Sequence, residues 1–154
     1  MTRSALPTGL DVRVTRVLDE PMPDGAVLAV ALVAAGPVAS INYRYTLGPD
    51  GTLFFVRHSG KPGDWQVPFD QPLPARPSAK VDKAEVDSLL HKLAAAEFFQ
   101  HPGYEANPRA QDGSYVIIRA RNDQGVHTVV FHNVRPDYVT ELVMFPLRVV
   151  PQKS

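Results

Sequence analysis

The chain has 154 residues, of which 44% are hydrophobic and 21% charged, and it contains no cysteine. This length and composition predict one globular domain with its own core, and the lack of cysteine excludes disulfides and thiolate metal ligands. Sixteen basic and sixteen acidic side chains cancel, which disfavours nucleic acid and anionic membranes as partners, because binding to either usually relies on a basic surplus.

The N-terminal residues 1–38 are predicted to contribute strands. Residues 11–18 alternate between apolar and polar side chains, which indicates a short strand. Residues 19–25 contain two prolines and a glycine and are typical of a turn. Residues 26–35 (AVLAVALVAA) follow acidic rather than basic residues and are too few to cross a bilayer. We therefore expect a buried strand there, and no membrane span.

A β-hairpin is predicted next. Residues 41–47 (INYRYTL) alternate with the period of a half-buried strand. Residues 48–51 (GPDG) form a strong turn signal, because proline presets φ and Asp-Gly tolerates the left-handed conformation. Residues 52–57 (TLFFVR) are the return strand.

A proline-rich loop is predicted over residues 59–80, which contain five prolines. That density excludes a regular element, and long insertions of this kind often carry function. Trp65 and Phe69 indicate that the loop packs on the body of the domain. Because aromatic anchors often supply binding energy, we assign Trp65 and Phe69 as candidate partner-binding residues.

The main helix is predicted from Asp82 to about Phe99. Asp82 and Glu85 have the spacing of a capping box, and Val81 and Val86 that of a hydrophobic staple. Apolar residues recur at helical spacing beyond Val86, and a Pro-Gly pair follows the Phe-Phe end.

A second hairpin and a short C-terminal helix complete the fold. Residues 103–113 are predicted to form a polar loop, and residues 114–121 and 126–132 two strands around an Asn-Asp-Gln-Gly turn. Pro136 suits the first turn of the last helix, and Pro146 limits its length. The predicted class is α+β, with an antiparallel sheet built from two hairpins packed on one main amphipathic helix.

Catalytic patterns are missing from the sequence. The histidines lack zinc-site spacing and the serines lack a nucleophile elbow, so we predict no catalytic residue, no metal and no cofactor. A metal site assembled from His101, Glu105 and His127 is disfavoured against solvated histidines. The alternative to a non-catalytic domain is a small-ligand-binding protein or minor enzyme with a cleft near Glu97, His101, Glu105 and His127.

Arginines also recur on the predicted strands. Arg119 and Arg121 lie on the second hairpin, and Arg44 lies on the first. A sheet face with tyrosines nearby could stack bases. We favour a solvated face instead, because an antiparallel sheet normally exposes one side to water.

Four segments carry a resemblance to a known type of domain. YRYTLGPDGTLFF, VDKAEVDSLLHKLAAAEFF, DGSYVIIRARNDQGVHTVVF and RPDYVTEL together resemble small uncharacterised bacterial hairpin–helix–hairpin domains, including the emfourin-type protein inhibitors of metalloproteases. The resemblance implies a protein-binding role. The first forty residues and the proline-rich loop exceed that pattern, and no residue is matched to an inhibitory contact.

The leading hypothesis is a non-catalytic domain that binds an unidentified protein, as an inhibitor or as an accessory subunit of a larger assembly. Homo-oligomerisation through a sheet edge is a further hypothesis. The sequence leaves the compartment open, and we favour a soluble cytoplasmic protein over a periplasmic one.

Overall fold

The structure is a computed structural model that describes residues 6–34, 42–58, 69–107 and 114–151. The strands are β1 Leu28–Val33, β2 Tyr43–Leu47, β3 Thr52–Arg57, β4 Ala79–Lys80, β5 Tyr104–Ala106, β6 Tyr115–Asn122 and β7 Gly125–His132. The helices are α1 Val12–Asp19, α2 Lys83–Ala95 and α3 Asp137–Val149, with a 3₁₀ turn at Phe98–Gln100. None of the helices within the described ranges is long and apolar enough to cross a membrane.

The seven strands of the described ranges form one sheet in the order β4–β3–β2–β1–β6–β7–β5. The pairs β2–β3 and β6–β7 are antiparallel, and β1 lies between them and pairs with β2 and β6. The α+β class is confirmed. The sheet is larger than two hairpins, because β1, β4 and β5 extend it.

Both faces of the sheet are covered. Leu28, Val30 and Leu32 of β1 join the core beneath α2 and α3. Ala31 and Val33 point the other way and pack with residues of α1. Because every residue of β1 is buried, the apolar run is the central strand of a three-layered domain. We call the side covered by α1 the α1 face.

The predicted strand over residues 11–18 was wrong, because this segment is α1. The Asp11 carboxylate accepts a hydrogen bond from the main-chain N–H of Arg13 and caps the helix. Val14 and Val17 are buried against the sheet, whereas Val12 is 73% exposed. Burial thus follows the helical spacing of three, not the alternation of two that suggested a strand.

Part of the predicted loop over residues 103–113 forms the edge strand β5. Tyr104 pairs with Val130, and Ala106 with His132, in parallel register with β7. The strand has three residues, too few for an alternation to be visible in the sequence. Residues 108–113 lie outside the described part of the chain.

The main helix ends earlier than predicted. α2 ends at Ala95, and Glu97 has a φ of 60°, in the left-handed region, before the 3₁₀ turn that contains the Phe-Phe pair. Asp82 is the N-cap residue but forms no side-chain capping hydrogen bond, so the capping box is not closed. The apolar stripe is confirmed, since Val86, Leu89 and Leu93 are buried.

Pro146 does not limit α3, which continues to Val149. A proline inside a helix has no N–H for the carbonyl four residues earlier, here that of Leu142. The Tyr45 hydroxyl donates to that oxygen at 2.6 Å. The Tyr43 hydroxyl donates to the next carbonyl, that of Val143, also at 2.6 Å. Strand β2 therefore supplies the hydrogen bond that the proline removes.

Candidate functional site

Three of the four predicted cleft residues come together beside β5. His101 Nε2 lies 3.0 Å from a carboxylate oxygen of Glu105. His127 Nε2, on β7, lies 2.8 Å from the main-chain oxygen of His101. Glu97 is exposed at the end of α2, and within the described ranges it forms no hydrogen bond or ion pair with the other three.

The hydrogen bonds of this group fix the histidine protons. The N–H of Gly103 donates to His101 Nδ1 at 3.0 Å, so a neutral His101 carries its proton on Nε2 and donates it to Glu105. His127 Nε2 must also be a donor, because its partner is a carbonyl oxygen. These hydrogen bonds hold the chain between the 3₁₀ turn and β5 in place. They give both imidazole rings a structural role. A ligand-binding role for the four residues stays a prediction.

Metal ligation has no geometric support in the described part of the chain. No group of three or more histidine and carboxylate side chains is placed to hold a metal ion there. His101, Glu105 and His127 are neighbours through hydrogen bonds rather than around a common centre.

The proline-rich loop is described only from residue 69 onward, and Trp65 lies outside the described residues. Phe69 is 2% exposed and belongs to the core on the α1 face. Its ring stacks on the imidazole of His58, with 4.1 Å between ring centroids. In this structure Phe69 therefore anchors the chain to the sheet and is not presented to a partner.

His58 is a buried residue that the sequence reasoning missed. Its side chain has no exposed surface, and neither ring nitrogen has a hydrogen-bond partner among the residues that the structure describes. The pKa of His58 is lowered to about 4, mainly by burial and to a smaller extent by the charge of Arg44, while Asp70 opposes the shift. A single histidine between a strand and a loop carries no sequence signal that would distinguish it from a solvated one.

The arginines do not lie on a solvated face, because α1 and the chain around residues 69–73 cover it. Arg119 is 9% exposed, and its guanidinium donates to the main-chain oxygen of Glu20. Arg44 donates to the Glu20 carboxylate at 2.6 Å and to the main-chain oxygen of Gln71 at 2.8 Å. Arg121 donates to main-chain oxygens nearer the surface. In the described part of the chain, these three arginines therefore do not form an open face on which bases could stack.

Comparisons with known proteins add no relative: no family model, no curated protein and no solved structure matches the chain. The resemblance to emfourin-type inhibitors therefore stays a prediction. Function has to be inferred from the geometry of the chain itself.

Proposed function

We propose that this protein is a non-catalytic domain that binds another protein through residues 59–68, with Trp65 as the main contact. The observation that carries the proposal is the stack of His58 on Phe69. These two residues flank the segment on either side, and their contact brings the described chain before and after it together on the sheet. Binding residues are commonly carried by segments that a rigid scaffold positions in this way.

The scaffold below the segment is well packed. Phe69 shares a core cluster with Val14 and Val17 of α1 and with Ile117 of β6. Arg44 adds a hydrogen bond to the main chain at Gln71. A fixed base reduces the conformational entropy that binding costs, because fewer residues have to be ordered when a partner docks.

An inhibitor or accessory subunit suits this arrangement better than an enzyme. The one cluster of titratable side chains predicted as a cleft has its histidine protons engaged in hydrogen bonds that stabilise a turn. The resemblance of the hairpins and α2 to inhibitor domains supports the same direction. The partner of a soluble domain of this kind would be a folded protein that accepts an aromatic anchor.

Site-specific photocrosslinking tests the proposal. A photoreactive phenylalanine analogue replaces Trp65 in the full chain, which is expressed in the native host and irradiated. We expect one discrete adduct of higher mass, identified by mass spectrometry. Matched controls carry the analogue at Val12 of α1 and at Met144 of α3, which are 73% and 46% exposed.

The control positions decide the outcome. Adducts that appear equally at positions 12, 65 and 144 would indicate unspecific contact, and no adduct at 65 would argue against the proposal. A Trp65→Ala chain should also fail to compete for the adduct while keeping the thermal stability of the parent.

A further inference from the structure

His58 is a buried histidine on the α1 face, placed directly after the last residue of β3. Its main-chain N–H donates to the oxygen of Asn42 at 2.8 Å. Its imidazole lies against the ring of Phe69, whereas neither ring nitrogen has a partner among the residues that the structure describes. Most buried polar side chains find a hydrogen-bond partner, so this imidazole is an exception that is held by packing.

The charges around this imidazole disfavour its protonation. Among the described residues, Arg44 of β2 and Asp70 are the charged groups that act on His58, and Arg44 has the larger effect. The guanidinium group of Arg44 is largely buried and bonds to the Glu20 carboxylate and to the main chain at Gln71. Asp70 is exposed and forms no hydrogen bond or ion pair with the imidazole. The surroundings therefore favour the neutral ring.

The helix α1, which packs over the same face, does not compensate a charge on His58. Asp11 and Arg13 at its start form an ion pair with each other at 2.8 Å, and no charged side chain of α1 is among the groups that shift the pKa of His58. A protonated imidazole has two N–H donors, for which the described residues place no acceptor within reach. An imidazolium at this position would therefore be a buried charge without compensation, which is costly.

His58 provides part of the surface on which Phe69 packs. The two rings are inclined by 27° to each other, and Phe69 also contacts residues of α1 in the same core cluster. Further along the chain, Arg44 fixes the main chain through the oxygen of Gln71. When the imidazole turns toward water, Phe69 loses its stacking contact, and the hydrogen bond at Gln71 confines the displacement to the chain before that residue.

We infer that protonation of His58 is a switch that detaches Phe69 from the α1 face while the sheet and its helices stay folded. An imidazolium gains water as a hydrogen-bond partner only when it leaves the buried position, and Phe69 loses its stacking contact in the same step. A consequence that rests on the proposed function is that a partner bound through residues 59–68 is released in acidic solution, because the base formed by His58 and Phe69 is then open.

The pH dependence of this switch has a definite sign and size. The pKa of His58 is about 4 in the buried position and returns to about 6.5 when the ring is exposed to water. The contact with Phe69 therefore keeps its full stability above pH 6.5 and weakens as the pH falls toward 4. The equilibrium constant for detachment should rise on the order of a hundred-fold between pH 7 and pH 4.

Fluorine NMR of the full chain, without a partner, tests the switch. In one sample 4-fluorophenylalanine replaces Phe69, and in another it replaces Phe145, a buried residue of α3 in the core beneath α2 and α3. As the pH falls toward 4, the signal of residue 69 should move toward that of the urea-unfolded chain, whereas the signal of residue 145 should keep its folded position. Signals that move together would show global unfolding and overturn the inference, as would a signal of residue 69 that does not move.

Two variants identify the histidine that takes up the proton. His58→Phe keeps a ring against Phe69 but binds no proton, so the signal of residue 69 should stay in its folded position as the pH falls toward 4. Persistence of the transition in this variant would contradict the switch. His91→Phe is the matched control, because His91 is exposed on α2, and it should leave the transition unchanged.

The parental chain gives a second measurement should His58→Phe fail to fold. The ring-proton signals of His58 should titrate with the same midpoint as the movement of residue 69. Titration of His58 while residue 69 keeps its folded position would overturn the switch. Detachment of Phe69 without a crosslink from position 65 would support the switch and count against the proposed function alone.

Discussion

Replacing Tyr45 with phenylalanine should destabilise the fold through a single acceptor, the main-chain oxygen of Leu142. Tyr45 is 1% exposed, and its hydroxyl lies 2.6 Å from that oxygen. Because Pro146 has no N–H, the helix offers the oxygen no replacement donor. An unsatisfied buried acceptor costs about 1–3 kcal/mol, and a loss of 1 kcal/mol lowers the melting temperature of a chain of this size by roughly 2–4 °C.

The test is a double-mutant cycle between Tyr45→Phe and Pro146→Ala, followed by urea unfolding. Alanine restores an N–H at residue 146, so the oxygen of Leu142 regains its helical partner. The cost of Tyr45→Phe should then fall, giving a coupling energy of about 1 kcal/mol or more. The coupling comes from the restored N–H and is independent of the effect that Pro146→Ala has on its own.

Tyr43→Phe provides the matched control. Its acceptor is the oxygen of Val143, whose helical partner is the N–H of Leu147, and that N–H is present in both backgrounds. The cost of Tyr43→Phe should therefore agree between the two backgrounds within about 0.5 kcal/mol. If both tyrosines couple equally to Pro146, or if neither does, the account of how α3 tolerates its proline is refuted.

Three further predictions, with four variants, test the packing of the domain. The pKa of His58 is lowered from 6.5 to about 4 in the folded chain, so the unfolded chain binds the proton more readily. The free energy of unfolding should therefore be at its full value above pH 6.5 and should fall by at most about 3 kcal/mol as the pH drops to 4. His58→Phe should flatten this acid limb in urea titrations at several pH values, and an unchanged limb would assign it to other groups. Phe69→Ala should lower the free energy of unfolding by about 3–5 kcal/mol, and Trp65→Ala by less than about 1 kcal/mol. Equal losses measured by calorimetry would contradict the proposal that Phe69 holds the fold together while Trp65 contacts a partner. Gly51→Ala should destabilise strongly, because Gly51 has a φ of 93° and a Cβ there would lie 1.8 Å from the oxygen of Val81; a parental melting temperature would show that β3 and β4 separate freely.

The sequence predicted the elements whose signals are local. Strands β2 and β3 have alternating residues and a Gly-Pro-Asp-Gly turn, and the structure places them within a residue or two of the expected bounds. Strands β6 and β7 were found in the same way. The buried stripe of α2 follows from its helical spacing. Each of these signals lies within one short stretch of chain.

Elements that depend on distant residues were missed or wrongly bounded. β5 is held by its parallel pairing with β7 across more than twenty residues of chain. The persistence of α3 through Pro146 depends on Tyr45, whose partner Leu142 is 97 residues away. Pairing of this kind is decided by tertiary structure, and neither propensity nor periodicity of the local segment reports it.

The candidate site shows the same division. His101 and Glu105 are four residues apart and meet, and His127 joins them because β5 and β7 are neighbours. Glu97 was grouped with them by closeness in sequence, but the left-handed turn at that residue separates it from the group. Closeness in sequence is a weak guide when a helix end changes the direction of the chain.

The secondary structure of residues 11–18 decides whether several side chains on the sheet are buried or exposed. If residues 11–18 were a strand, the sheet would keep a solvated face, Arg44 and Arg119 would be ordinary surface residues and Phe69 could be offered to a partner. Because the segment is the helix α1, the same face is closed, and the arginines and His58 become buried groups that need compensation. The base formed by His58 and Phe69 depends on that closure, because Phe69 packs with Val14 and Val17 of α1. A variant that detaches α1, such as Val17→Asp, should therefore loosen this base and weaken the binding proposed for residues 59–68.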